Sequence, residues 1–288
     1  MLRVSHLTGT LALAFAATTF AAAPAHAAPD TSDNQINIIQ HNPDQLGPGP
    51  AMQAANAWGG VDAITFQELC KSQKKELEAA GYRVKWLLQR EATSSSCAHG
   101  PAIATVHKIA ATKSALLLKR GKGEEHRDFW LLCVDLDGTG VAKTTVCTSH
   151  FPLDYNAETV APTGEENRIK VANRIAKIVN PWIAAGRRVV LAGDFNDGPK
   201  SRPMDRFYKA GGNGQFWEGD QRCGDTTCRE MEPTTDTGRT LDYFFASAPG
   251  VNKLTGVSKE VLGDDDPGTV DKEGHFVIKG SVTFGPLR

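Results

Sequence analysis

The sequence predicts an α/β fold in which two β-sheets pack together, with helices on their outer faces. Apolar runs of strand length recur between turn residues, and segments of helical periodicity separate some of them. The segments alternate without a long Pro- or Ser-rich linker, which favours one compact domain. Periodicity alone does not distinguish this arrangement from other α/β architectures.

The strand predictions rest on short apolar runs that end in turn or polar residues. The first two are INIIQHN, residues 36–42, and VDAITFQE, residues 61–68. The remaining predicted strands are residues 101–107, 129–135, 144–150, 187–195, 239–247 and 275–284.

Two segments predict helices. KSQKKELEAAG, residues 71–81, ends at Gly81, a residue that commonly terminates helices. EENRIKVANRIAKIV, residues 165–179, begins with two acidic residues, and Pro181 follows its end. Its apolar residues recur at helical spacing, so we expect one of its faces to pack on a sheet.

The first 27 residues have the layout of a secretory signal peptide. One Arg precedes an Ala- and Leu-rich stretch, which ends in the small-x-small triplet Ala25-His26-Ala27. The apolar part is too short and too rich in alanine for a convincing membrane span. We therefore expect a secreted protein cleaved near Ala27, with a single domain over residues 28–288 that acts as a monomer without an obligate protein partner.

The charge balance excludes a strong overall attraction to polyanions. Without Arg3, which would leave with the leader, 31 Lys and Arg residues face 33 Asp and Glu residues, a formal charge of −2. No global positive field exists to draw in nucleic acid. Any such attraction must come from a local cluster of basic side chains.

All six cysteines follow the leader, and an even number in an exported chain favours disulfides over metal binding. The sequence does not fix their connectivity. Two of them lie in predicted strands joined around Asp137-Gly138, which makes a bridge across a hairpin plausible, and another two would close a short loop. The preferred set is Cys133–Cys147, Cys223–Cys228 and Cys70–Cys97.

Several predicted strands end on, or begin with, residues suited to metal or phosphate chemistry. Strand ends on one rim of a sheet converge in space, and a fold can build a site there from distant positions. Each residue also has a structural interpretation, such as a turn or a cap, so the ordered set carries the argument. Its members are Asn42, Gln67-Glu68, His150, Gly193-Asp194-Phe195-Asn196, Leu241-Asp242-Tyr243 and His275.

This ordered set resembles the endonuclease/exonuclease/phosphatase superfamily, the DNase I-like fold, over essentially the whole mature chain. The run GDFN after an apolar strand is its most specific single motif. The resemblance implies a four-layer α/β sandwich with two packed mixed β-sheets flanked by helices, and an active site at one edge of the sheets. It also implies hydrolysis of phosphate esters that depends on a divalent metal, usually magnesium, with manganese or calcium as substitutes.

The side chains fit this chemistry, because phosphate hydrolysis requires charge neutralisation, an oriented water and a stabilised leaving oxygen. Glu68 and Asn42 are the expected metal-side ligands, since Mg²⁺ prefers oxygen. Asp194 would deprotonate the attacking water, and Asn196 would donate to a phosphate oxygen.

Two histidines complete the expected catalytic set. Asp242 would orient His275, which faces the phosphate as donor or acid. His150 would assist the leaving oxygen, as the resemblance to DNase-like and sphingomyelinase-like members implies. No carboxylate partner for His150 is identifiable in the sequence.

One position departs from the family pattern. The family usually has an Asp immediately before the last histidine, and this chain has Gly274 there. Glu273, Asp271 or the run 264–266 are candidate substitutes, and the number of metal ions stays open. An inactive binding module of the same fold is therefore an alternative, which the retained histidines and the pair of Asp194 and Asn196 disfavour.

Only the rim residues discriminate between substrates, because nucleases and phospholipid phosphodiesterases share the hydrolytic set. Lys119, Arg120 and Lys122 form a basic, glycine-spaced segment that would follow a phosphate backbone. This segment favours a secreted nuclease acting on DNA or RNA. A sphingomyelinase- or phospholipase-C-like enzyme with a phospholipid substrate is the alternative, and the choice between DNA and RNA, or between internal and terminal cleavage, stays open.

Overall fold

The computed structural model describes residues 34–120, 127–137, 144–153, 164–209, 211–220, 229–247, 254–262 and 274–285. The expected signal peptide and the expected Cys223–Cys228 bridge lie outside these ranges. None of the helices within them has both the length and the apolar character that a membrane crossing requires. In chain order the elements are β1 (Gln35–His41), α1 (Gly49–Ala57), β2 (Ala63–Cys70), α2 (Lys74–Ala79), β3 (Arg83–Trp86), β4 (His99–Thr105), β5 (Lys108–Arg120), β6 (Arg127–Asp137), β7 (Thr144–His150), α3 (Gly164–Ala184), β8 (Arg188–Asp194), a 3₁₀ turn (Met204–Arg206), β9 (Phe216–Glu218), β10 (Asp242–Ser247), β11 (Leu254–Val261) and β12 (Ile278–Phe284).

The strands form two six-stranded mixed sheets, as the sequence predicts. The first sheet has the order β11-β12-β1-β2-β4-β3, and the second has the order β5-β6-β7-β8-β10-β9. In each sheet one central pair is parallel, β1 with β2 and β7 with β8. Beside these pairs, β12 and β10 run antiparallel, so their first residues lie next to the last residues of the parallel strands.

Three buried clusters give the molecule four layers. The middle cluster lies between the two sheets and contains Ile36, Val190 and Phe244. A second cluster packs α3 on the outer face of the second sheet, and a third packs α1 and α2 on the outer face of the first. Because side chains alternate along a strand, central strands such as β1 and β8 contribute to both a middle and an outer layer. The predicted four-layer α/β sandwich is confirmed.

The helices differ from their predictions in extent. The segment predicted as a helix over residues 71–81 is helical only over Lys74–Ala79. The long helix, by contrast, continues through Pro181 to Ala184, so the prediction that it ends before Pro181 is wrong. Buried Val179 and Ile183 extend its apolar face past the proline, and this packing outweighs the loss of one helical hydrogen bond.

Two of the preferred disulfides are present, Cys70–Cys97 and Cys133–Cys147. Cys133 and Cys147 are directly opposite each other in the β6–β7 ladder. Their bridge lies in the cluster beneath α3, whereas Val146 points to the middle layer. The bridge therefore braces the hairpin from the face that is turned away from the middle layer, as the alternation in the sequence predicts.

Candidate active site

The middle layer changes from apolar to polar at one edge of the two sheets, which we call the polar edge. It consists of the last residues of β1, β2, β7 and β8 and the first residues of β10 and of the segment leading to β12. On β8, for example, Val190 and Ala192 belong to the apolar cluster and Asp194 is the next residue on the same face. The same strand periodicity that builds the core therefore brings the candidate site residues together.

Each residue of the GDFN segment, residues 193–196, has a different structural role. Gly193 is still part of β8, and a Cβ there would lie 2.2 Å from the backbone oxygen of Ser149, so the glycine permits close approach of β7. The left-handed residue of the segment is Asn196, with φ of 50°, and not Gly193. Phe195 is fully buried and stacks on Phe151 with ring centroids 4.5 Å apart. The core thus anchors the segment between its two polar residues.

Asp194 is at the centre of the site. Its Oδ2 accepts a hydrogen bond from Asn42 Nδ2 at 2.9 Å. The Nε2 atoms of His150 and His275 lie 3.5 and 3.7 Å from the same oxygen. Its Oδ1 accepts from the backbone N–H of Asn196 at 2.9 Å, while the Asn196 amide nitrogen donates to the Phe151 carbonyl at 2.9 Å.

The environment of Asp194 favours its protonated form. Burial raises its pKa to about 7, although the charge of His275 and the hydrogen bonds from Asn42 and Asn196 oppose the increase. The negative charge of Asp242 nearby acts in the same direction as burial.

His275 is held by Asp242, as the sequence predicts. His275 Nδ1 lies 2.9 Å from Asp242 Oδ2, so its Nε2 faces Asp194. Thr234 donates its hydroxyl to Asp242 Oδ2 at 3.0 Å, and Gln40 donates its amide to Oδ1 at 3.0 Å. Asp242 is therefore fixed from both sheets, and it fixes the imidazole in turn.

The partner of His150 is an amide. Gln89 Nε2 lies 3.3 Å from His150 Nδ1, and both side chains are buried. An amide nitrogen can only donate, so Nδ1 accepts and the ring proton lies on Nε2, toward Asp194. Burial, with the charges of Arg127, His275 and His99, lowers the pKa of His150 to about 4, and the charge of Glu68 only partly offsets this. His150 is therefore a neutral imidazole near pH 7.

Glu68 leaves the regular path of its strand. The β2–β4 ladder shifts register between Phe66 and Leu69, and Glu68 has φ of 49°, a left-handed conformation that is rare for a residue with a side chain. Such strain persists where the surrounding structure enforces it, often at functional sites. The bulge takes the Glu68 side chain out of the strict alternation of β2.

The carboxylate of Glu68 has three side-chain nitrogens within 3.5 to 4.0 Å, of which that of Gln45 donates a long hydrogen bond. Gln45 Nε2 lies at 3.5 Å, His150 Nδ1 at 3.8 Å and His99 Nε2 at 4.0 Å. Burial raises its pKa, but the charges of His150, His99 and Arg127 and a hydrogen bond with Asp44 outweigh it and lower the pKa to about 2. Glu68 is ionised near pH 7.

Two groups at the polar edge suit a cation. Asp194, Asp242 and His275 each offer a ligand atom within 4.8 Å of the others. Both oxygens of Asp242, however, already accept hydrogen bonds from neutral groups. The ionised Glu68 is partly open, with 14% of its side chain exposed, and the side-chain nitrogens of Gln45, His150 and His99 lie 3.5 Å or more from its oxygens. Glu68 is therefore the better fit for the divalent metal that this chemistry requires.

A ladder of side-chain amides crosses the middle layer behind the site, and the sequence analysis did not anticipate it. Gln40 and Gln67 donate to each other at 2.7 and 2.9 Å. Gln67 also donates to the Thr148 hydroxyl in the opposite sheet at 2.8 Å. These residues lie on the same strand faces as Asn42 and His150, so period-two alternation would have identified them.

The basic segment that begins at Lys119 lies at the end of strand β5. Lys119 is exposed and Arg120 is the last residue of β5, while Lys122 lies outside the described ranges. Lys119 pairs in register with Asp128, beside Arg127 on β6. Arg127, which the sequence analysis missed, contributes its charge at both Glu68 and His150. A basic flank therefore connects the second sheet to the polar edge.

Gly274, which occupies the position where the family usually has an Asp, bonds to Asp236 through its backbone. Gly274 donates its N–H to Asp236 Oδ1 at 3.0 Å, and its carbonyl accepts from the Asp236 N–H at 3.1 Å. The candidate substitutes Glu273, Asp271 and the run 264–266 lie outside the described ranges.

Comparison with solved structures supports the same fold. The catalytic domain of human Nocturnin, solved with a bound sulfate anion, has a TM-score of 0.64 at 14% identity, covering 89% of this chain and 96% of that one. Truncated TDP2 from Caenorhabditis elegans has a TM-score of 0.59 at 16% identity, covering 88% and 100%. Sphingomyelinase C from Streptomyces griseocarneus has a TM-score of 0.57 at 14% identity, covering 86% and 99%.

At sequence level, no protein of curated function matches this chain significantly. The model of the Endonuclease/Exonuclease/phosphatase family matches residues 20–265, which is most of the chain. Members of that family are generally hydrolases that act on phosphoester bonds and use divalent metals. The protein belongs to the endonuclease/exonuclease/phosphatase family.

Proposed function

We propose that the protein is a secreted, divalent-metal-dependent phosphodiesterase that hydrolyses DNA or RNA by in-line attack of water. The observation that carries the proposal is the position of Asp194 Oδ2, which is 2.9 Å from Asn42 and 3.5 and 3.7 Å from two histidines. These groups come from both sheets and have no common role in stabilising a single strand.

Asp194 would accept the proton of the attacking water. The left-handed turn at Asn196 keeps its amide beside Asp194, at 3.5 Å from Oδ2, where it would donate to a phosphate oxygen. A base next to an amide donor orients water and phosphate together, which is most of what in-line displacement needs.

Glu68 and Asn42 would hold the metal, which we expect to be Mg²⁺ or, in its place, Mn²⁺ or Ca²⁺. Bound there, the cation supplies charge neutralisation of the phosphate oxygens. Glu68 provides the ionised carboxylate, and the amide oxygen of Asn42 provides a neutral ligand. Glu68 lies near the end of β2 and Asn42 directly follows β1, so both ligands would come from the first sheet.

The two histidines would divide the remaining work. His150 carries its proton on Nε2 and would stabilise the departing oxygen by donating a hydrogen bond to it. His275, oriented by Asp242, would donate to a phosphate oxygen through Nε2 and stabilise the developing charge. Asp242 acts through His275, since its own oxygens are occupied.

A polyanionic substrate is supported by the flank of the site. Arg127 acts on the site electrostatically, and exposed Lys119 lies on the neighbouring strand, paired with Asp128. The proposed substrate contacts are Lys119, Arg120 and Lys122. In contrast, Phe216 is fully buried and Trp217 is in β9, where Lys209 lies over its ring. This aromatic pair therefore gives a lipid substrate no support.

Export as a mature chain over residues 28–288 is part of the proposal. The two disulfides support it, because such bonds persist in oxidising compartments.

The test is hydrolysis of plasmid DNA, RNA and sphingomyelin vesicles by the purified oxidised protein, each with Mg²⁺ and with EDTA. We expect EDTA-sensitive cleavage of a nucleic acid, and Asp194→Asn should lower turnover at least ~10²-fold. Asp137→Asn is the matched control, because Asp137 is exposed at the other end of the sheets. Hydrolysis of sphingomyelin alone would show that the protein is a phospholipid phosphodiesterase and not a nuclease. Cleavage that resists EDTA, no cleavage of any substrate, or full activity of Asp194→Asn would overturn the proposal.

A further inference from the structure

The Cys70–Cys97 disulfide connects the two segments that carry Glu68 and His99. Glu68 lies two residues before Cys70, and His99 lies two residues after Cys97. Cys70 and His99 are also partners in the β2–β4 ladder. The covalent bridge and the ladder therefore restrict the distance between these two side chains, independently of any ligand.

His99 presents a lone pair toward Glu68. Its Nδ1 lies 3.0 Å from the carbonyl oxygen of Cys97, and a carbonyl only accepts, so Nδ1 carries a proton. In the neutral ring Nε2 is then the unprotonated nitrogen. This atom is 4.0 Å from Glu68 Oε2, and the imidazole is 3% exposed.

The distance of 4.0 Å between Nε2 and Oε2 is too long for a direct hydrogen bond, whose N···O distance is about 2.7–3.2 Å. Two ligand atoms that share one cation at about 2.1 Å are separated by roughly 3.0 to 4.2 Å, depending on the angle between the bonds. A cation bound to both atoms therefore fits the gap.

His150, the other histidine near Glu68, has its nearer ring nitrogen already engaged in a hydrogen bond. His150 Nδ1 is 3.8 Å from Oε1, but it already accepts from the Gln89 amide. His99 Nε2 lies 4.0 Å from Glu68 Oε2, while its other ring nitrogen bonds to the Cys97 carbonyl. Of these two histidines, His99 is the one placed to ligate.

We propose that His99 Nε2 and Glu68 Oε2 bind the divalent cation together, and that the site binds Mn²⁺ and Co²⁺ more tightly than Mg²⁺. Imidazole nitrogen is a good ligand for first-row transition metals, whereas Mg²⁺ prefers oxygen. The Cys70–Cys97 disulfide positions the two ligands. The inference rests on the proposed metal site at Glu68, and it adds an imidazole that changes which metal is preferred.

The first experiment measures binding without substrate. The oxidised protein, freed of metal with EDTA and dialysed, is titrated calorimetrically with Mg²⁺, Mn²⁺ and Co²⁺, and the Co²⁺ complex is followed by its visible absorption. We expect tighter binding of Mn²⁺ and Co²⁺ than of Mg²⁺. His99→Ala should weaken Mn²⁺ binding about tenfold or more, with a much smaller effect on Mg²⁺, and should change the Co²⁺ spectrum.

The controls separate this inference from the proposed function. His107→Gln replaces another buried histidine, which pairs with Asp62, and should leave every Kd unchanged. Glu68→Gln should weaken all three ions. If Glu68→Gln weakens binding and His99→Ala does not, the metal site remains and the role of His99 is overturned. If His99→Ala removes the preference but no phosphodiester is cleaved, the inference stands and the proposed function fails.

The second experiment tests the disulfide. Removal of Cys70 and Cys97 by a double Ala substitution should weaken Mn²⁺ binding, whereas the same change at Cys133 and Cys147 should not, because that bridge lies beneath α3. Near-ultraviolet circular dichroism verifies that each variant is folded. Equal Mn²⁺ affinity in the two folded variants would contradict the positioning role, and the His99 comparison decides the ligand assignment in either case.

Discussion

Two buried Asp–His pairs in this protein have the same chemistry but different surroundings. His107 Nε2 is 2.7 Å from Asp62 Oδ1, and His275 Nδ1 is 2.9 Å from Asp242 Oδ2. All four residues are buried. The first pair lies near the start of β2 and the second at the polar edge, so the two pairs mark opposite ends of the sheets.

The partners of Asp62 belong to a single sheet. Its Oδ2 accepts from the backbone of Asn37 on β1 at 2.7 Å, and its carbonyl accepts from Thr105 on β4 at 2.6 Å. His275, in contrast, directs its second nitrogen across the middle layer toward Asp194. A buried Asp–His pair is therefore a candidate for function when the imidazole also faces groups from another sheet, and the pair alone is not sufficient.

The largest expected effect comes from replacing each histidine by Asn. His275→Asn should lower turnover at least ~10²-fold, because it removes the donor facing the phosphate. Its cost in unfolding free energy should be similar to that of His107→Asn, because Asp242 also loses a buried partner. His107→Asn should leave turnover per folded molecule unchanged and cost about 1–3 kcal/mol of unfolding free energy, because Asp62 loses a buried partner. Initial rates and urea unfolding of both variants measure the two quantities. A large loss of turnover in folded His107→Asn would contradict the conclusion that only the Asp242–His275 pair serves catalysis.

The second-largest expected effect comes from substituting Gly193, where the backbone of β7 lies very close to β8. Gly193→Ala would place a Cβ 2.2 Å from the Ser149 oxygen, so β7 and β8 must separate beside Asp194. We expect a cost of about 1–3 kcal/mol together with a loss of turnover. Gly198→Ala is the matched control, since nothing lies within 4 Å of a Cβ there, and its effect should stay within about 0.5 kcal/mol. Equal unfolding midpoints for the two variants would show that β7 and β8 can separate freely.

The smallest effect concerns Asp135, which is far from the polar edge. Burial raises its pKa, but hydrogen bonds from Lys113 and Thr145 and the charges of Lys113 and Arg187 outweigh it, so the folded-state pKa is below the ordinary value of 3.8. This contribution to stability is therefore complete above pH 3.8 and is lost as the pH falls through the lower folded-state value.

Asp135→Asn should lower the unfolding free energy by about 1 kcal/mol or less at pH 7, because the ion pairs are partly exposed. The difference from the unsubstituted protein should shrink on acidification, and hydrolysis should be unaffected. Urea unfolding from neutral pH down to strongly acidic pH measures the trend. A difference in unfolding free energy that grows toward acidic pH would contradict the predicted direction of the pH dependence.

The sequence predicts most strands because the middle layer is strictly periodic. It also identifies the residues at strand ends, since Asn42, His150 and Asp194 interrupt apolar runs. The long helix was predicted too short, because a proline was given more weight than the apolar residues beyond it.

Other site residues could not be predicted, because they depend on irregular backbone. Gln89 lies in a loop and reaches His150 on a distant strand, and His99 approaches Glu68 only because β4 pairs with the bulged end of β2. The sequence predicts Glu68 itself, but not the bulge that directs its side chain. Arg127 begins a strand, and its relevance appears only when its charge is placed beside Glu68. Such contacts have no local signature in the chain.

The pairing of β1 with β12 has a consequence for synthesis. Gln35, near the start of the described chain, pairs with Thr283, near its end. Asn42 follows β1 and His275 precedes β12, so the candidate site needs residues from both ends of the chain. A nascent chain on the ribosome therefore lacks a complete site until its last strand has emerged, and these long-range pairings favour slow folding.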